Sequence, residues 1–323
     1  MPNGVDYTST GMIASIKRRI SLPDAQNLYT PDDLVKFMGD ELSSTVEPLI
    51  HSVQQEYWVV RQDLPLVAGQ TNYTLPIRGI VNGLRLVTLV DTMGNEMEFP
   101  RLQPEYQASA YSWLSPYTVS VLYGFTFEDD HIVVFPQSAV GNPTMSVRFR
   151  YERQPSQIVQ TIEAAQITAV AGNIVTVSSY PSSWTTALLF DIIKGTPQFV
   201  SKGDDLTITL LDPILNQITF TALPSTVVVG DWVSVANTSP IPQIPYQLFP
   251  YLAQAVATKC LEGLSDLEPL QEAQKKLGLM KEDLLKMMQP RDMGNVQTVV
   301  NRSGLFNNGA FWGWGSAQGG VGF

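Results

Sequence analysis

An α+β fold is predicted by three observations. Apolar side chains recur every three or four residues toward both ends of the chain, alternation with period two lies between them, and a β-branched, charge-poor stretch precedes the second helical region. The full expectation is a helical bundle, made of an N-terminal long helix and two C-terminal helices, with an antiparallel β domain, an inserted small all-β module and an extended C-terminal tail. The expected divisions are an N-terminal arm and long helix over 1–62, the β domain over 63–156, the inserted module over 157–240, the C-terminal helices over 241–289 and a docking tail over 290–323.

Each element has a local reason. Thr30-Pro31-Asp32-Asp33 places a capping hydroxyl, a first-turn proline and two acids where a helix dipole favours them. Leu34, Phe37, Met38, Leu42, Val46, Leu49, Ile50, Val53 and Tyr57 then mark one buried face. Pro48 should kink or split this helix, because proline lacks a backbone donor and crowds the preceding turn.

From Asp63 to about Arg153, short strands alternate with turn chemistry. Leu84–Asp91 and Glu96–Leu102 flank Met93-Gly94-Asn95, Val119–Phe127 and Ile132–Phe135 flank Glu128-Asp129-Asp130, and Met145–Tyr151 follows. The stretch 157–240 holds 12 Thr, 10 Val and 9 Ile in 84 residues but only two basic residues, Lys194 and Lys202. That composition predicts five to seven strands, with turns at Gly172-Asn173, Lys202-Gly203-Asp204 and Gly230-Asp231.

Helical pattern returns at Pro245 and runs to Gly263, with Leu248, Leu252, Ala255, Val256 and Cys260 on its inner side. A second helix from about Leu267 to Gln289 carries an a/d seam of Leu270, Ala273, Leu277, Met280, Leu284 and Met287. From Ser303 to Phe323 there is no charged side chain, while seven of 21 residues are glycine and five are aromatic.

Composition closes several functional classes. The 323 residues amount to about two domains at ~150 residues each. Charged residues are 15% of the chain against a usual figure near 25%, and no apolar run approaches the ~18 needed to cross a bilayer. A single cysteine, Cys260, excludes an internal disulfide and a Cys-rich zinc site. His51 and His131 lie far apart in sequence, in no ligand-spaced pair. The stretch from Met1 to Ile16 is weakly apolar and precedes Lys17-Arg18-Arg19, the reverse of a secretory signal, so a protein made in the cytoplasm is expected. A net charge of −10 argues against a broad grip on nucleic-acid phosphates.

No motif carries catalysis. Gly313-Trp314-Gly315 with Gly319-Gly320 has the wrong spacing for a phosphate cradle. Glu128-Asp129-Asp130-His131 and Asp204-Asp205 read as solvated turn tips, His51 as a buried or rim histidine and Cys260 as a small core side chain. Lys17-Arg18-Arg19 is the densest basic cluster, read first as a solvated or salt-bridged patch, then as inter-subunit pairing, and last as a DNA contact. The sequence predicts a non-enzyme with no catalytic, cofactor or metal site. The uncharged aromatic tail reads as a segment held by another chain, since aromatics filling partner pockets concentrate binding energy.

The stretches SIKRRISLPDAQNLYTPDDLVKFMGDEL, PLVAGQTNYTLPIRGIVNGLRLVTLVD, LYGFTFEDDHIVVFP, SVRFRYERQPSQIV and LLKMMQPRDMGNVQTVVNRSGLF resemble head-to-tail adaptor (connector) proteins of tailed bacteriophages, functionally similar to tail tubular protein A of short-tailed phages. The resemblance covers residues 15–156 and 240–306 and leaves the module 157–240 unexplained. It implies a homo-oligomeric ring of 12 copies beneath the portal protein, formed by the helical bundle and forming part of the DNA ejection channel. The β domains would point outward or toward tail nozzle or tail fibre proteins. Viral DNA would pass without sequence-specific contact, with no membrane involved, in a virion neck assembled in the host cytoplasm. Carried over onto this sequence, Pro290, Arg291, Val299, Val300, Arg302, Leu305 and Phe306 would make the portal contacts. Phe311, Trp312, Trp314 and Phe323 join that interface by their chemistry alone. The alternative is a β-rich tail or receptor-binding protein whose module contacts host surface glycan, with Trp184 and Trp232 as candidate stacking residues.

Overall fold

A computed structural model describes residues 6–20, 28–67, 70–75, 78–102, 124–128, 131–135, 145–196, 201–264 and 267–288. The chain divides into a unit over 1–288 and a unit over 289–323. All eleven expected portal-contact residues, Pro290 to Phe323, lie outside the described residues, as do Asp129 and Asp130 of the turn at Glu128. The first unit is a mixed α+β structure with antiparallel sheets, one of them a closed six-stranded barrel.

The helical layer begins with α1 (Ser9–Ile20), which buries Met12, Ile16 and Ile20 at four-residue steps. The sequence predicts an arm here, and the structure has a helix. Next comes α2 (Pro31–Glu41), capped as the residues predict. The Thr30 hydroxyl accepts from the Asp33 N–H at 3.2 Å, and the Asp33 carboxylate accepts from the Thr30 N–H at 3.0 Å. The helix then widens into a π turn over Leu42–Val46, with the Glu47 N–H bonded to the Leu42 carbonyl, before α3 (Glu47–Val53).

The interruption expected at Pro48 therefore takes the form of a π turn. Its logic is visible in the spacing: Leu34, Met38, Leu42, Val46 and Ile50 are all buried and all four residues apart. On an α-helix that spacing drifts about 40° per step. A wider turn takes up part of the drift and keeps Val46 and Ile50 on the buried side. Ser44 Oγ donates to the Asp40 carbonyl at 2.7 Å, satisfying an acceptor on the outer face.

After a 3₁₀ turn (Tyr246–Leu248), α4 (Phe249–Leu264) is buried around most of its circumference. It is the element against which α1, α2 and α5 (Leu267–Met288) all pack. Leu270, Ala273, Leu277, Met280 and Leu284 of the expected seam lie against this core, but Met287 is 67% exposed and Leu285 and Met288 take its place. A straight helix gains about 20° per heptad on a strict seven-residue repeat, so the inner line passes to the next residue.

The first sheet has the order β1 (Val59–Pro65), β7 (Ser146–Arg153), β3 (Gly79–Val90), β4 (Glu96–Glu98), all antiparallel. The β3–β4 turn is built by Asp91, whose Oδ1 accepts from the N–H groups of Met93 and Asn95 at 2.8 Å, with Gly94 at φ +84°. A three-stranded sheet, β2 (Asn72–Thr74), β6 (His131–Phe135) and β5 (Gly124–Glu128), shares its core through Tyr73, Val87, Phe125, Ile132, Val147 and Phe149.

Residues 157–158 (β8) pair in parallel with Thr238–Ser239 (β15), so the two ends of the intervening segment lie side by side. Between them sits the barrel. Its strands are β9 (Ala165–Ala171), β10 (Ile174–Val177), β11 (Leu189–Ile193), β12 (Ser201–Asp212), β13 (Gln217–Phe220) and β14 (Trp232–Val235), ordered 10-13-12-11-14-9. Strands β11, β12 and β13 are successive neighbours and β14 returns beside β11, a Greek key. The interior is filled by Ile167, Val175, Phe190, Ile192, Ile208, Ile218, Phe220 and Val233. Gly172 and Gly230 turn with positive φ as expected. The turn expected at Lys202-Gly203-Asp204 is instead part of β12, whose pairing with β11 is irregular there.

Candidate functional site

The residues singled out for chemistry sit in structural surroundings. His131 opens β6 opposite Glu128 across the β5–β6 hairpin. His51 is a rim residue, its ring 5.2 Å from that of Trp58 and its Nε2 3.9 Å from Glu152 Oε2. Glu152 accepts from Arg85 Nε at 2.7 Å. Burial pushes the nearby Glu47 carboxyl above its ordinary value, with His51 pulling it down and Glu152 adding to the rise. Cys260 lies wholly inside the helical core, and burial pushes its thiol up to about 12, so it is no nucleophile at neutral pH. Among the described residues no group of three His, Cys, Asp or Glu side chains could hold a metal, and no helix is long and apolar enough to cross a membrane.

Trp184 is 6% exposed and forms part of the barrel core, its ring parallel to that of Tyr180 with centroids 5.9 Å apart. Trp232 packs against the helical core. Trp184 therefore offers no stacking platform, and Trp232, half-buried, is turned to the helical core.

The most developed polar constellation joins the sheet to the barrel. Arg78, just before β3, places Nη1 2.6 Å from Asp191 Oδ2 and 3.5 Å from Asp204 Oδ1, and its Nη2 bonds to Asp205. Arg153, at the end of β7, bonds to Asp204 through Nη1 and brings Nη2 3.7 Å from Asp191 Oδ2. Asp191 also accepts from the N–H groups of Asp205 at 3.0 Å and Asn237 at 2.8 Å, both in left-handed backbone. Side-chain exposure is 1% for Asp191 and 2% for Arg153. Burial works against the Arg78 charge, and the hydrogen bond and charge of Asp191 overcome it. Asp204-Asp205, expected as a solvated tip, are thus partners of two arginines, and the site fixes how the barrel meets the sheet.

Two surfaces contrast. The sheet carries a ladder of ion pairs: Arg148 holds Asp63 through Nε and Nη2 at 2.7 and 2.8 Å and Glu96 through Nη1 at 2.5 Å, while Arg150 Nη2 reaches Glu96 at 2.9 Å. The barrel has no charged residue from Ala164 to Phe190, and Leu210, Thr219, Ile174 and Ala171 form one cross-strand row on its outside. Ile174, Leu210, Ile214, Leu215, Val228 and Val229 are exposed.

The basic cluster borders a groove of about 800 Å³ between α1 and the start of α4, lined by Tyr7, Met12, Arg18, Arg19, Tyr246 and Phe249. Tyr7 meets Phe249 edge-on at 4.9 Å. Arg18 Nε donates to the Ala14 carbonyl at 3.2 Å, and Arg19 Nη1 donates to Gln254 Oε1 at 3.1 Å. Three cations in the last turn of α1 suit the negative end of its dipole. Burial, and then the charge of Arg18, hold the Arg19 guanidinium below its ordinary value.

Comparison with protein families finds no matching family, and no curated protein gives a significant match.

Proposed function

We propose that this chain is a structural virion protein, a head-to-tail adaptor ring that joins the capsid portal to the tail and forms part of the DNA ejection channel. In this reading the helices form the bundle from which the ring is built, and the segment 290–323 docks on the portal. The observation that carries it is the distribution of charge. The barrel has no charged residue over 164–190 and exposes Ile174, Leu210, Ile214 and Leu215, a surface suited to being covered by other chains. The acid excess suits a conduit wall past which DNA slides without sticking.

The test is deletion of 289–323 followed by measurement of binding to portal rings. Loss of binding is expected, and unchanged binding removes the docking role. Native mass spectrometry with and without portal reads copy number, for which the resemblance implies 12. The glycan-binding alternative is weakened by the burial of Trp184 and the packing of Trp232.

A further inference from the structure

The side of α5 turned away from the core is organised about one residue. Leu279 is 56% exposed there, while Ala273 and Leu284 are buried on the opposite side. Around Leu279 the charges invert. Lys276 stands three residues before it and Glu282 three after, Lys275 four before and Asp283 four after, Glu272 seven before and Lys286 seven after. At each spacing a base on one side answers an acid on the other. All six are exposed, and at about 100° per residue they fall within about 60° of the direction of Leu279, on one face of the helix. Glu268, one turn beyond Glu272, would find its counterpart at position 290, past Met288 where α5 ends.

These charges are available to a partner. Among the described residues the one ion pair inside the stripe joins Lys286 Nζ to Asp283 Oδ1 at 3.9 Å, with side chains 74% and 75% exposed, a weak contact in water. A face whose charges invert about a central apolar residue is complementary to its own reverse. Two copies laid parallel would set acid on acid and base on base. Laid antiparallel with the two Leu279 side chains together, Glu272 meets Lys286 and the pair Lys275-Lys276 meets the pair Glu282-Asp283, at both ends of the contact.

We propose that the outer face of α5 is a two-fold contact surface that receives α5 of a second copy of this chain, antiparallel, with Leu279 on the axis. Such a contact is isologous and closes as a pair. It is independent of the ring reading given above, because a cyclic ring is built from head-to-tail contacts and would draw them from other surfaces.

Cysteine variants of the full-length chain test the geometry. Leu279→Cys places a thiol on the axis, where mild oxidation should join it to its own copy, as read on a non-reducing gel; Cys260 is buried and does not compete. Glu272→Cys alone should not cross-link, because its two copies would stand about 21 Å apart along the helices, beyond the reach of a disulfide. A mixture of Glu272→Cys and Lys286→Cys chains should give the mixed dimer. No cross-link at 279, or one at 272 formed as fast, overturns the contact. Charge reversal is read by sedimentation velocity across a concentration series. Lys275→Glu with Lys276→Glu, and Glu282→Lys with Asp283→Lys, should each weaken pairing about tenfold or more, and an equimolar mixture of the two double variants should recover it as a dimer of one of each. All four side chains are exposed, so subunit unfolding should change little, and the cysteine variants decide the matter without charge reversal if it does. Weakening without recovery in the mixture, or an unaltered chain that stays monomeric throughout, also overturns the proposal. Rings that assemble with no cross-link at 279 overturn it while leaving the ring reading standing; a pair cross-linked at 279 that forms no ring with portal removes the ring reading and leaves this contact.

Discussion

Arg78, at the entrance to β3, and Asp191, in barrel strand β11, meet across the junction of sheet and barrel with Nη1 and Oδ2 2.6 Å apart. Asp191 accepts from Arg78 and from two backbone N–H groups and lies 3.7 Å from Arg153 Nη2, so its removal leaves buried donors and cations facing one another. Deleting one partner of a buried ion pair costs about 3–5 kcal/mol. Asp191→Ala is expected to destabilise the chain by that order. Asp191→Asn should cost less, because its amide oxygen still accepts from one of the backbone donors. Urea denaturation of the three proteins, followed by circular dichroism, reads the order.

The ladder on the sheet gives stability a pH dependence of known sign. Hydrogen bonding from Arg148 holds the carboxyls of both Asp63 and Glu96 below their ordinary values. A depressed folded value means stabilisation that is complete above the unfolded value, about pH 4, and lost as pH falls through the folded one. Glu47 has the opposite sign: burial raises it, so its contribution is present at low pH and lost as pH rises through its folded value. Asp63→Asn should flatten the fall in denaturation midpoint on the acid side of pH 4 and leave the neutral-side slope alone. An unchanged acid limb in the variant would show that the Arg148 pair contributes nothing.

The helices from Pro31 onward and the β-rich segment were legible because their information is local. A capping box spans four residues, a buried face repeats every three or four, and β-branched enrichment persists over tens of residues. The Asp191 site was not legible, since Arg78 and Asp191 stand 113 positions apart and hydropathy does not record which charges meet. Asp204-Asp205 are solvated as expected, but they stand inside β12 beside two arginines and not at a turn tip, for a related reason. Glycine followed by acids is turn chemistry, yet here Asp205 adopts a φ of +52° within irregular β12 and turns its carboxylate toward Arg78. The π turn could have been suspected from five apolar residues at strict four-residue spacing around Pro48, a pattern an α-helix cannot keep on one face.

Two glycines should respond to alanine in opposite directions. Gly278 lies inside α5 with nothing within 4 Å of where a Cβ would stand. Gly278→Ala should therefore stabilise the chain by about 0.5–1 kcal/mol through reduced unfolded-state freedom. At Gly195 the same methyl would overlap the carbonyl oxygen of Gly230, a backbone atom with no room to yield beside buried Asp231. Gly195→Ala should lower the unfolding midpoint, and thermal melts of both variants beside the parent chain separate the two effects.

Cys260 reports on the integrity of the helical layer. Its side chain is fully enclosed by the core that α1, α2 and α5 build around α4, and burial raises its thiol to about 12. At pH 8 only a minute fraction is thiolate, and that fraction is shielded from reagent, so alkylation must wait for opening of the layer. Iodoacetamide should leave the native chain unmodified over hours and label it stoichiometrically in denaturant, as read by intact mass. Ile16→Ala removes a fully buried side chain from the α1 contact at a cost of about 2–5 kcal/mol. If labelling proceeds through opening of this layer, that variant should be alkylated much faster than the parent under native conditions. Equal rates in the two proteins would mean that the thiol is reached by a path that does not require α1 to leave α4.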